Sequence, residues 1–164
     1  MEIKLLINIC HPPEVERKLS LQGNDKKCMK LTIYSDGGAR GNPGPAAAGI
    51  VIKNDAGKNL AAYGEYLGEQ TNNFAEYSAL ISGLKKAKEL GAAEVECLMD
   101  SELVTKQMRR EYRVKEPTLQ KLFIQAYNAS TQFTKCVFRH IRREKNQEAD
   151  ALVNEILDKK TLPN

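Results

Sequence analysis

At 164 residues the chain can bury one proper core and leaves little room for two independent domains. Hydrophobic residues at 41% and charged residues at 28% exclude wholesale disorder, and a formal charge of +4 permits a phosphate-rich partner without requiring one. Four cysteines with no C-x-x-C pair, beside only two histidines, argue against a structural zinc site and leave reduced thiols in a cytosolic protein as the expectation.

Residues 1–28 read as an N-terminal extension. An apolar run from Leu5 to Cys10 is too short for a membrane span and lacks a charged leader and small-residue cleavage site. His11-Pro12-Pro13 and a polar segment ending in Gly23-Asn24-Asp25-Lys26-Lys27 follow. The expectation is a cytoplasmic monomer with no membrane partner, one compact domain over 29–160, and a short tail over 161–164.

From Leu31 the pattern alternates. Leu31 to Asp36, Ala46 to Lys53 and Leu60 to Leu67 are strand candidates, parted by the turn-rich segments Gly37 to Pro45 and Asn54 to Asn59, which suggests an antiparallel meander. After Thr71 the period becomes helical, with Tyr77, Leu80, Ile81 and Leu84 on one face until Gly91, and with Asn72 or Asn73 as the N-cap. A strand from Val95 to Met99 follows, then a helix from about Ser101 to Arg110 and another that Pro117 opens and that runs to about Thr131. A strand from Thr134 to Ile141 and a helix from about Asn146 to Lys159 complete the chain. This order implies an α/β fold, a five-stranded mixed sheet flanked by helices.

Asp36 is expected to close the first strand and Asp100 the fourth, positions where α/β sheets gather ligands, although Asp also favours turns for its own hydrogen bonding. Glu76 shares a helical stripe with Leu80, Gly83, Ala87 and Leu90, which puts a carboxylate beside apolar neighbours; the helix dipole alone could also favour it there. Asp150 flanks the stripe Ala149, Leu152, Val153 and Ile156 of the last helix. Several carboxylates pressed against a core are best explained by a shared cation, because burying an unpaired one is costly. Four such acids suit two-metal phosphodiester hydrolysis, and hard oxygen donors suit Mg2+ or Mn2+.

Four segments carry a resemblance. They are Tyr-Ser-Asp-Gly-Gly-Ala-Arg-Gly-Asn-Pro-Gly-Pro (34–45), Thr-Asn-Asn-Phe-Ala-Glu-Tyr (71–77), Met-Asp-Ser-Glu-Leu-Val (99–104) and Arg-Glu-Lys-Asn-Gln-Glu-Ala-Asp-Ala-Leu (143–152). In this order and spacing the chain resembles the type 1 ribonuclease H family over nearly all of residues 31–159. The resemblance implies a ribonuclease H-like fold, three antiparallel strands and then two parallel ones. It also implies an endonuclease that hydrolyses the RNA strand of RNA/DNA hybrids, leaving a 5′-phosphate and a 3′-hydroxyl. Asp36 would bridge two ions, Asp150 would complete the site of the ion that activates water, and Glu76 with Asp100 would hold the other. Gly37, Gly38, Asn42, Asn72, Asn73 and Asn146 would contact substrate, with Asn42 approaching the 2′-hydroxyl that distinguishes RNA from DNA.

Two departures stand out. Many members carry a flexible loop before the last helix with a histidine that assists proton transfer. A gapless count back from Asp150 lets His140 take that part, whereas the apolar pattern of Val137, Phe138 and Ile141 favours a strand, a shortened loop and a structural or RNA-adjacent His140. The chain also has no tryptophan and no basic protrusion; Lys106, Arg109, Arg110, Arg113 and Lys115 form a basic run that reads more readily as a solvated helix face. The rival function is a catalytically weak or inactive module binding RNA/DNA hybrid or double-stranded RNA, and double-stranded RNA is a second candidate substrate.

Overall fold

A computed structural model describes residues 28–161. The proposed extension, apart from Cys28, and residues 162–164 of the tail lie outside the described residues. Five strands, β1 (Lys30–Ala39), β2 (Gly44–Asn54), β3 (Asn59–Gln70), β4 (Glu94–Met99) and β5 (Lys135–His140), form one sheet in the order β3-β2-β1-β4-β5. The first three pair antiparallel and the last two join in parallel, as expected. Four helices connect and cover them: α1 (Asn72–Glu89), α2 (Glu102–Met108), α3 (Pro117–Ser130) and α4 (Gln147–Thr161), the last preceded by a 3-10 turn at Arg143–Lys145.

Alternation along the strands assigns the two faces. Leu31 and Ile33 of β1, Ile50 and Ile52 of β2 and Cys97 and Met99 of β4 pack in one core with Tyr77, Leu80 and Leu84 of α1 and with Leu119 and Leu122 of α3. A second, smaller cluster joins Ala47 of β2 to Val153 and Leu157 of α4, with Ile156 beside it. Helix α4 therefore sits on the face opposite α1. Leu157 replaces Leu152 in the buried stripe, since residues 149, 153 and 157 recur every four positions and Leu152 and Ile156 are only half-buried.

Two local features differ from the expectations. Strand β1 does not end at Asp36; Gly37, Gly38 and Ala39 continue it, pairing with Ala48, Ala47 and Ala46. Small residues that read as a turn are here a strand that lets both layers come close, for a Cβ on Gly37 would stand 2.2 Å from the Ala75 and Glu76 backbone. The α1 N-cap is Thr71, not Asn72 or Asn73: its extended backbone (φ −79, ψ 160) lets Oγ1 accept from Phe74 N–H at 3.2 Å. The last helix starts at Gln147, in keeping with the expected start at about Asn146, after a 3-10 turn. Pro117 opens α3 as expected, with the Glu116 carboxylate accepting from the Thr118 and Leu119 N–H groups at 2.9 and 2.7 Å.

Two of the five residues of the basic run are paired with acids. Lys106 pairs with Glu102 at 2.6 Å and lies over the Tyr112 ring, and Arg109 pairs with Glu111 at 3.0 Å. Cys28, Cys97 and Cys136 are free thiols. Among the described residues no helix is long and apolar enough to cross a membrane.

Candidate active site

The site lies where β4 stops. Its last residue, Met99, pairs with Ser35, so from Asp36 onward β1 has no strand on that side. Asp100 follows immediately as the chain leaves the sheet, capped into α2 by Ser101, whose hydroxyl accepts from Val104 N–H at 3.3 Å. Into the notch come Glu76, on the fifth residue of α1, and Asp150, in the first turn of α4. One carboxylate oxygen from each of Asp36, Glu76 and Asp100 lies within 4.8 Å of the other two. Asp36 and Glu76 are buried, at 6% and 7% exposure, and Asp100 is half-buried.

The electrostatics follow from this crowding. Burial, and after it the charges of Asp100 and Asp150, push the Asp36 carboxyl up to about 7; a hydrogen bond with Asp100 adds to the rise, and the Arg143 guanidinium opposes it. Glu76 is pushed well above the ordinary carboxyl range, first by burial and then by Asp36 and Asp100, while the Gly37 backbone N–H and Arg143 pull it back. Without a cation the cluster is thus held partly protonated.

Asp150 stands at the side of this group. Its Oδ1 lies 2.6 Å from an Arg143 Nη, and its Oδ2 accepts from Asn154 Nδ2 at 3.1 Å. Arg143 and Asn154 went unassigned in the sequence; Asn154 follows Asp150 by four residues, a spacing that puts both on one helix face. A cleft of about 280 Å3 is lined by Asp36, Gly37, Gly38, Asn72, Glu76, Asp100 and Asp150, together with Arg143 and Asn154.

Of the other residues singled out in the sequence, Asn42 lies in the turn beyond β1, where its Oδ1 accepts from Asn72 N–H at 3.2 Å. Asn73 is half-buried in the first turn of α1. His140 is the last residue of β5, where the strand pattern puts it, and is exposed, with Nε2 3.2 Å from the Asp100 carbonyl oxygen. Asn146 is 1% exposed and lies under the cluster instead of on its surface.

A family model described as reverse transcriptase-like matches residues 34–156. A bifunctional protein of Mycobacterium tuberculosis is 45% identical over 131 residues, which cover 79% of this chain and 36% of that protein. Ribonuclease HI of Halobacterium salinarum is 42% identical over 129 residues, 79% of this chain and 65% of the relative. The chain thus spans about a third of the first relative and just under two thirds of the second. Among solved structures, the N-terminal ribonuclease H domain of the M. tuberculosis protein superimposes with a TM-score of 0.78 at 43% identity, covering 80% of this chain and 95% of that one. A ribonuclease H1 isolated from compost, solved in complex with an RNA/DNA hybrid, gives 0.77 at 47% identity, covering 80% and 99%. With the motif order, the sheet topology and the convergent acids, these likenesses show that the chain belongs to the type 1 ribonuclease H family.

Proposed function

We propose that the chain is an endonuclease that hydrolyses the RNA strand of RNA/DNA hybrids. Cleavage would break the bond between phosphorus and the 3′-oxygen, leaving a 5′-phosphate and a 3′-hydroxyl. Asp36, Glu76, Asp100 and Asp150 would hold two divalent cations, Mg2+ or, in its place, Mn2+. The observation that carries this reading is the nest of three carboxylate oxygens within 4.8 Å, two of them on acids that burial makes reluctant to ionise. Such crowding is costly unless a cation shares the charge.

The donor set fits the ions. The cluster offers carboxylate oxygens with no thiol or imidazole, which suits small hard cations. When bound, the ions would supply an activated water and neutralise charge on the leaving oxygen.

The chain's own residues supply position. Gly37 and Gly38 line the cleft without side chains that would fill it. The Asn42 carbonyl oxygen is taken up by Asn72 N–H, which leaves the amide Nδ2 to donate to a 2′-hydroxyl. His140, beside the Asp100 carbonyl on an ordered strand, we assign to the edge of the site and not to proton transfer. The likeness to a ribonuclease H1 solved with an RNA/DNA hybrid supports the choice of substrate.

The test is a labelled-strand assay on RNA/DNA hybrid, double-stranded RNA and duplex DNA, each with Mg2+, Mn2+ or chelator. Metal-dependent cutting of the hybrid RNA strand, lost in Asp36→Asn and retained in His140→Ala, is the expected result. Hybrid binding without cutting under any metal would mark the chain as a binding module instead.

A further inference from the structure

Asn146 touches every carboxylate-bearing element of the sheet side of the site. Its side-chain Nδ2 donates to the Ser35 carbonyl oxygen at 3.0 Å and to Asp100 Oδ1 at 3.2 Å, and its backbone carbonyl oxygen accepts from Asp150 N–H at 3.0 Å. One residue is therefore bonded to the neighbour of Asp36, to the Asp100 carboxylate and to the backbone of Asp150. At 1% exposure it offers nothing to a substrate.

We infer that Asn146 is a positioning residue for the cation site: its amide clamps the Asp100 carboxylate to β1, so that the acids of three separate elements keep one spacing. This rests on the reading that the cluster holds divalent ions. A primary amide suits the task because it has two N–H donors at a fixed angle and no charge. It can occupy one oxygen of Asp100 and leave the other free, without introducing a cation that competes for the site.

A second observation points the same way. Asn146 Oδ1 and Ser35 Oγ are buried without a partner, and no other buried side-chain polar atom among the described residues is so left. Leaving a buried acceptor unsatisfied is unfavourable, so the site keeps Asn146 for its donor half.

The test begins with Mn2+ alone, titrated calorimetrically into wild-type protein, Asn146→Ala and Asn146→Ser, with hybrid cleavage measured at saturating metal. The expected result is a loss of Mn2+ affinity of about 10–100-fold in both variants, and a fall in kcat with little change in KM. A residue that merely supports the fold would lower the melting temperature and leave the Mn2+ affinity of the folded protein unchanged, which overturns the inference. A rise in KM with kcat intact would make Asn146 a substrate contact and overturn it too. Should neither variant fold, the wild-type protein decides: the Asn146 side-chain amide resonances must shift in step with Mg2+ binding, and stationary resonances at saturating Mg2+ refute the clamp. Wild-type protein that binds neither ion would sink the reading of the cluster itself, an outcome distinct from wild-type binding that the variants leave untouched.

Discussion

The Arg143 guanidinium lies 2.6 Å from Asp150 Oδ1, so the fourth acid carries its own counter-ion, whereas among the described residues the other three have no ion-pair partner. The pair is 72% and 26% exposed, and ion pairs at such exposure contribute at most about 1 kcal/mol to stability. Its meaning is local charge, for Arg143 also lowers the proton affinity of Asp36 and Glu76. Arg143→Ala should therefore leave the melting temperature nearly unchanged, move the acid limb of the pH–rate profile to higher pH, and strengthen Mn2+ binding. Calorimetry reads the last directly; weaker binding would mean that Arg143 orients Asp150 more than it repels the ion.

The raised carboxyls make stability depend on pH in a direction opposite to the common one. Between the ordinary carboxyl range and about 7, folded Asp36 keeps a proton that the unfolded chain has released, so the metal-free protein loses stability as pH rises through that window. Asp36→Asn should flatten the fall and stabilise the metal-free protein by about 2–4 kcal/mol near pH 8. Added Mg2+ should recover stability in the wild type at high pH and not in the variant. Urea denaturation across the window, with and without chelator, checks both.

Gly37→Ala should be strongly damaging, since its Cβ would stand 2.2 Å from the backbone of α1. Backbone cannot step aside as a side chain can, so a loss of about 3 kcal/mol is expected, with α1 and Glu76 displaced. Gly57→Ala is the control: its Cβ would meet nothing within 4 Å, and only the backbone (φ +77) resists, at about 1 kcal/mol. Denaturant midpoints separate the two.

Thr71→Ala should cost about 1 kcal/mol through loss of the α1 cap, whereas Asn72→Ala should cost less than about 0.5 kcal/mol. Thermal melts of the two variants under one buffer decide it. A larger loss for Asn72→Ala would return the cap to the asparagines.

The helices and strands were legible because their periods differ and Pro117 and Gly91 punctuate them. The four acids were legible as candidates because each sat beside apolar residues. Their meeting was expected from the shared-cation argument and the family resemblance and not from any local pattern, since it depends on β4 ending opposite Ser35. Gly37 to Ala39 misled for a physical reason: small residues favour turns, yet here they pair with Ala46 to Ala48 so that two layers can approach. Asn146 was expected to contact substrate at the start of the last helix, and its burial shows only once β1 and β4 are brought over it. Arg143 reaches Asp150 across a 3-10 turn, a separation of seven with no signature of its own.

Helix α4 is fastened to the sheet by a small separate cluster, Ala47, Val153 and Leu157 with Ile156, while Asp36, Glu76 and Asp100 belong to the body built on the main core. Elements with little apolar anchorage detach before the whole molecule melts. Heat should therefore disarm the protein in two stages: the seam under α4 parts first and carries Asp150 away, while the three-acid nest survives in an otherwise intact fold. The temperature at which function is lost would then lie below the one at which the sheet comes apart, and the distance between them would measure how firmly α4 is held to the sheet.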